Sequence, residues 1–215
     1  MTKVIISYFF IFLSSFTVAL TGAMMPGPLL TAAISDSLKK GFVAGPLLIV
    51  GHGILELTLL VALLWGLSPL FTQKWFFVTV SLAGGFILFL MAWSIFQSLP
   101  HLSVGGGRGE KAVSPNLVAK GIVISLSNPY FLIWWATIGM GYIVQSQTYG
   151  FLGISLFFLG HILADALWYC SVTFAMARGR NFMTPKLYRM IMGTAACFLV
   201  GFGTYFMYAG MEKIL

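Results

Sequence analysis

Two short stretches place an imidazole and a carboxylate four residues apart: "GHGILE", with His52 and Glu56, and "GHILAD", with His161 and Asp165. Both read Gly-His-x-x-x-acid. On a helix this spacing puts the two side chains on one face, one turn apart, where they can hydrogen-bond or share a proton. Histidine changes charge near neutral pH, so each pair is a candidate proton relay or ammonium site. The four together also carry the donor types that suit Zn²⁺ or Ni²⁺. The chain has only five acidic residues, and Glu56 and Asp165 interrupt long runs that are otherwise uncharged. A carboxylate at a membrane-helix centre costs about 3 kcal/mol on insertion scales, so such residues face a cavity, a partner or a pathway. The competing role is to fix helix packing through the local His–acid hydrogen bond.

The elements that must hold these groups follow from composition. Of 215 residues 59% are apolar and 8% charged, far from the roughly 25% charged of soluble domains, which makes this an integral membrane protein. Six runs are long enough to span: Val4–Ile34, Phe42–Gly66, Trp75–Leu99, Leu117–Val144, Phe151–Ala177 and Met190–Met211. No alternating segments of the barrel kind occur, so the expected fold is all-α with six transmembrane helices. The start of the chain has the basic, apolar and small residues of a signal peptide. Its apolar pattern runs on past Ala23 to Ser35, which predicts an uncleaved first span. Too little sequence lies outside the spans for a soluble domain, and no nucleophile, base and orienting group stand together. An enzyme is therefore not expected, and nothing calls for a cofactor. Cys170 and Cys197 lack CxxC spacing and read as small buried side chains, not a redox pair.

The net charge of +7 is a matter of topology. Nine of the twelve basic residues, Lys39, Lys40, Arg108, Lys111, Lys120, Arg178, Arg180, Lys186 and Arg189, flank the first, third and fifth connections. This is the positive-inside pattern. It predicts loops 35–41, 100–120 and 178–189 in the cytoplasm and both termini outside, and it argues against a nucleic-acid partner.

The chain then says something twice. Pro26-Gly27-Pro28 interrupts the first span, and Asn128-Pro129 interrupts the fourth. The Gly-His-x-x-x-acid motif recurs in the second and fifth. Three spans per half force the halves into opposite orientation, so the expected organisation is two inverted repeats, 1–102 and 117–215, joined by a linker over 103–116. That linker, "SVGGGRGEKAVSPN", is Gly-rich but lacks the GxxxxGK[ST] spacing of a phosphate loop. Pro26 precedes His52 by 26 residues and Pro129 precedes His161 by 32, so a turn must absorb the difference. In a bilayer, broken backbone is tolerated only where protein buries it or it lines a water-filled cavity. The half-helices after Pro28 and Pro129 would then offer free N–H groups and a positive dipole end to an anion such as a carboxylate. Gly84-Gly85, Gly139-x-Gly141 and Gly201-x-Gly203 read as close-packing patches. Trp75 reads as an interfacial anchor, and Trp134-Trp135 as packing or pathway lining.

Six spans with "MPGPLL" in the first, the cationic turn "SLKKGFVAG" after it and "SLSNPYF" in the fourth resemble the lysine-exporter (LysE) family, including its homoserine and threonine resistance (RhtB) branch. The resemblance covers nearly the whole chain. It implies a secondary exporter of amino acids or similar small metabolites in the cytoplasmic membrane of a prokaryote, driven by an ion gradient. Pro26, Gly27, Pro28, Asn128 and Pro129 carry over as family motif positions. The chain departs where many members have Lys after the Asn-Pro and it has Tyr130. It departs again where an acid closely follows the glycine of the second span and here His52 does. The leading expectation is a zwitterion exporter in which the broken helices hold the carboxylate while Glu56 or Asp165 holds the ammonium or a coupling proton. The alternative is a divalent-cation exporter with His52, Glu56, His161 and Asp165 as four ligands. Expected partners are the small-molecule substrate, its coupling ion and the lipid bilayer, with a homodimer left open.

Overall fold

Apolar runs of this length fold as helices in a bilayer because a helix satisfies its own backbone groups. A computed structural model describes residues 2–102 and 116–214. Among these residues the structure is helices and turns, with no strand. The Gly-rich segment and the basic residues Arg108 and Lys111 lie outside the described residues.

Helix α1 (Thr2–Ala23) stops at the Pro-Gly-Pro break, and α2 (Pro28–Lys40) restarts with Pro28 in its first turn, where a missing N–H costs nothing. Gly41, at φ 79°, ends α2 and donates its N–H to the Ser37 carbonyl. Helix α3 (Ala44–Ala62) runs through a π-helical turn, Leu63–Leu67, and a kink at Gly66 (φ 109°) into α4 (Ser68–Phe71). Helix α5 (Lys74–Ser98) follows. In the second half, Asn116 caps α6 (Leu117–Leu126) by accepting from the N–H groups of Val118 and Ala119. The Asn128-Pro129 break leads to α7 (Pro129–Trp134), a π-helical turn at Trp135–Gly139 and α8 (Met140–Gln147). Two long helices, α9 (Gly150–Gly179) and α10 (Pro185–Ile214), complete the chain.

Five of these units are long and apolar enough to cross a membrane: Ile6–Ala23, Ala44–Phe71, Lys74–His101, Gly150–Phe182 and Pro185–Ile214. Leu117–Leu126 with Pro129–Gln147, bent by 66°, can form a sixth. The protein is therefore a multi-pass helical membrane protein. Large apolar side chains such as Phe9, Trp93 and Phe151 are exposed on its outside, as a lipid-facing surface requires. Cys197 is exposed as well, contrary to the expectation of burial, while Cys170 is half-buried.

The first span differs from its expected outline. Val4–Ile34 has its break beyond the middle: α1 is long enough to cross unaided, and α2 is a separate shorter helix. Nor does a turn absorb the mismatch between the two motif spacings. The helix after the break runs 28–40 in the first half and 129–147 in the second, and that added length takes up the difference.

Helices pair as α1 with α9, α3 with α6, and α5 with α10, while α3 and α9 also touch. Two glycines permit the first two pairings. A Cβ on Gly51 would collide with the Val118 carbonyl of α6, and one on Gly160 with the Phe12 carbonyl of α1. These are the glycines of the two Gly-His motifs. Small residues at membrane-helix crossings allow such approach, so each motif's first residue seats a neighbouring helix, and for Gly51 that helix also supplies Ser125 to His52. Gly85 and Gly203 serve α5 and α10 in the same way, each lying against the other's carbonyl.

Candidate functional site

Helix periodicity puts His52 and Glu56 on one face of α3, and His161 and Asp165 on one face of α9. Contact between α3 and α9 brings the four together. All are buried. The shortest contact crosses the helices: His161 Nε2 lies 2.8 Å from Glu56 Oε1. His52 Nε2 reaches the same oxygen at 3.2 Å. Both imidazoles thus stand against one carboxylate oxygen, and the His161 contact is a hydrogen bond. Asp165 Oδ2 stands 3.5 Å from His161 Nε2 and 3.8 Å from His52 Nε2, and makes no hydrogen bond. Glu56 Oε2 has no hydrogen-bond partner either. The two local pairs read from the sequence are one four-residue cluster.

Neighbouring side chains fix the imidazoles. His52 Nδ1 is 2.7 Å from Ser125 Oγ of α6 and its ring meets Phe131 edge-on, with centroids 5.4 Å apart. His161 sits among Trp134, Trp135 and Phe157, with ring centroids at 4.7, 5.4 and 6.1 Å. The tryptophan pair after the second break therefore both packs and lines the site.

The two breaks meet at this level. A Cβ on Gly27 would lie 3.7 Å from Asn128 Nδ2. Between breaks and cluster is a cavity of about 80 Å³, several times the roughly 10–15 Å³ that one water needs. Pro26, Gly27, Pro28, Asn128, His52, Glu56, His161 and Asp165 all line it. Pro129 does not; it is buried where a Cβ on Gly84 of α5 would be. The half-helix ends differ in chemistry. Helix α2 has Gly27 at its cap, with no side-chain hydrogen bond. Pro28 lacks an N–H, and Thr31 donates back to the Gly27 carbonyl, which leaves the first-turn N–H groups of Leu29 and Leu30 without a helical partner. The α7 end is already capped, because Asn128 Oδ1 accepts from the Tyr130 N–H at 3.1 Å.

Sequence reasoning passed over Ser125, Tyr169 and the wall formed by Leu88, Leu199 and Phe202, all of which line the cavity. Ser125 stands within the quoted "SLSNPYF", and that adjacency to the break was the one signal available. The others carry no motif and reach the site only through tertiary packing.

His52, Glu56 and Asp165 offer donor atoms that all lie within 4.8 Å of one another. Zn²⁺ bonds of roughly 2.0–2.2 Å place tetrahedral ligands about 3.3–3.6 Å apart. The 2.8 Å between His161 and Glu56 is shorter than this and is a hydrogen-bond distance. The cluster as it stands has the spacing of hydrogen-bonded groups, with three donors at most near a cation geometry.

A "Putative amino acid efflux protein YcgF" of Bacillus subtilis (strain 168) is 25% identical over 207 residues, which cover 95% of this chain and 99% of that protein. No solved structure matches. The LysE type translocator family matches residues 20–210, a range that contains both breaks and the whole acid–imidazole cluster, and the chain belongs to that family.

Proposed function

We propose that this protein is a secondary transporter that exports amino acids, or similar small zwitterions, across the cytoplasmic membrane of a prokaryote. The observation that carries the reading is the cavity itself. One wall is the uncapped N-terminus of α2 and another is a buried carboxylate, Asp165, whose Oδ2 makes no hydrogen bond. A helix N-terminus attracts a carboxylate through its free N–H groups and dipole, and an unengaged carboxylate attracts an ammonium. The two charges of an α-amino acid fit these two surfaces. Family membership and the efflux name of the Bacillus subtilis relative support the same direction of transport.

Protons couple the cycle in this reading. Glu56 holds both imidazoles, so a proton arriving at or leaving His52 or His161 changes the field on Asp165 and its grip on the ammonium. The organisation proposed is two inverted three-span repeats, 1–102 and 117–215, joined by 103–116, with both termini outside and loops 35–41, 100–120 and 178–189 in the cytoplasm. Exchanging the halves turns the α1–α9 pairing into α6–α3 and returns α5–α10 and α3–α9 to themselves, which supports this.

Flux in proteoliposomes tests the reading: labelled amino acids, and separately Zn²⁺ or Ni²⁺, are followed with and without an imposed pH gradient. Amino-acid movement that responds to the gradient is expected. Metal movement without amino-acid movement would transfer the site to the three donors His52, Glu56 and Asp165 and overturn the proposal.

A further inference from the structure

Three helix pairs enclose the cavity, and each brings a different chemistry. The breaks present the α2 N-terminus and Asn128, while α3 and α9 present the acid–imidazole cluster. Leu88 of α5 with Leu199 and Phe202 of α10 add an apolar wall, beside small residues of α1 such as Ala19 and Ala23. Leu88 and Leu199 are fully buried members of one apolar cluster with Ala92, Ala196 and Phe206. An amino acid held by its carboxylate and ammonium at the first two surfaces has its side chain left for the third. We infer that the transported side chain is neutral and apolar, of the leucine, methionine or phenylalanine kind, and that Leu88, Leu199 and Phe202 select it. The inference rests on the export reading above and adds the substrate class.

Charge exclusion carries the argument. Among the described residues, Glu56 and Asp165 are the only acidic groups lining the cavity. Glu56 Oε1 already lies within 3.2 Å of both imidazoles, and Asp165 is needed by the α-ammonium. A lysine or arginine side chain would bring a second cation with no counter-charge, buried against leucine and phenylalanine. Asp36 cannot supply one, since it is bound at 2.6 Å to Lys120. No lysine or arginine among the described residues lines the cavity, so an acidic side chain is refused for the opposite reason. Polar uncharged side chains fare little better. Ser125 is engaged by His52, the Asn128 carbonyl oxygen is engaged by the Tyr130 N–H, and Leu88, Leu199 and Phe202 offer no polar atom, so a hydroxyl against that wall loses its water there, the other polar groups of the lining being those of Tyr130, Tyr169 and the two tryptophans.

The test uses the full chain in proteoliposomes and measures initial rates for leucine, methionine, phenylalanine, lysine, arginine, glutamate and serine, each alone at one concentration. Rates for the three apolar amino acids at least about tenfold above the other four are expected, since one matched methylene can already be worth about that factor. Lysine, arginine, glutamate or serine moving as fast as leucine overturns the inference and leaves amino-acid export standing. Movement of none of the seven, in protein that moves other labelled amino acids, also overturns the inference, and movement of no amino acid at all overturns export itself. A second arm, Leu199→Glu, puts a carboxylate on the selecting wall, and the lysine-to-leucine rate ratio should rise by about tenfold. An unchanged ratio in variant protein that still inserts overturns the assignment of the side chain to α10.

Discussion

Glu56 and Asp165 look equivalent in the sequence, and the structure separates them. Glu56 Oε1 is hydrogen-bonded to His161 and lies 3.2 Å from His52 Nε2, whereas Asp165 Oδ2 makes no hydrogen bond. Asp165→Asn therefore removes a charge but no hydrogen bond at Oδ2, so insertion and thermal stability should be preserved. If this carboxylate meets the ammonium, losing a desolvated charge contact worth about 2–5 kcal/mol lowers flux by roughly thirtyfold or more. Full flux in Asp165→Asn would leave the residue a packing role only. Glu56→Gln should also insert and lose flux, but with a measurable fall in melting temperature, because a neutral amide oxygen is a poorer acceptor than the carboxylate for the His161 N–H. Ser125→Ala is the milder probe. It removes the partner of His52 Nδ1, a hydrogen bond worth about 0.5–1.5 kcal/mol, and should cost about two- to twelvefold in flux with the substrate preference unchanged. At this scale the acid and imidazole positions were legible because charge in an apolar run stands out. Their cross-pairing was not, since a spacing of four describes one helix and the 2.8 Å contact joins two.

Proline, as an element breaker, made both interruptions visible in the sequence, but what each broken end does depended on the residue before it. Asn128 caps its own helix; Gly27 has no side chain with which to do so. Beyond the breaks, α2 and α6 are braced together by Lys120 Nζ and Asp36 Oδ2 at 2.6 Å, with side chains 30% and 7% exposed. Asp36 stands eight residues after Pro28 and Lys120 eight before Asn128, so the pair lies about 12 Å along the helices from the two breaks, given 1.5 Å of rise per residue. Lys120→Met leaves a buried carboxylate without its cation and should destabilise the folded protein by about 3 kcal/mol, with Asp36→Asn in the same chain restoring part of the loss. Thermal unfolding in detergent reads both, and additive losses would show that the two residues do not act as a pair. Positive-inside counting used Lys120 only as a topology marker. Its tie to Asp36 joins elements far apart in the chain and leaves no trace in local sequence.

For the whole molecule, the strongest sequence signal was repetition, and the helix pairings are consistent with it: α1 on α9 and α6 on α3, each seated by the glycine that precedes a buried histidine. The asymmetry of the halves, with α1 long before its break and 129–147 long after the other, was hidden because both broken runs are apolar throughout. This asymmetry sharpens one question about the bilayer. If Leu117–Leu126 and Pro129–Gln147 cross as one bent span, then α5 and that span both lie between Gln73 and Gln147, and the two glutamines face the same side. If the 66° bend makes the pair re-entrant, a single crossing separates them and they face opposite sides. Single cysteines at Gln73 and Gln147, in a chain whose Cys170 and Cys197 are replaced, should both react with a membrane-impermeant maleimide on intact cells. A cysteine at Lys186 should react only after permeabilisation. Opposite labelling of Gln73 and Gln147 would remove the sixth crossing, and with it the inverted repeat. It would also leave the uncapped α2 end and the acid–imidazole cluster serving a cavity that the two halves do not enclose symmetrically.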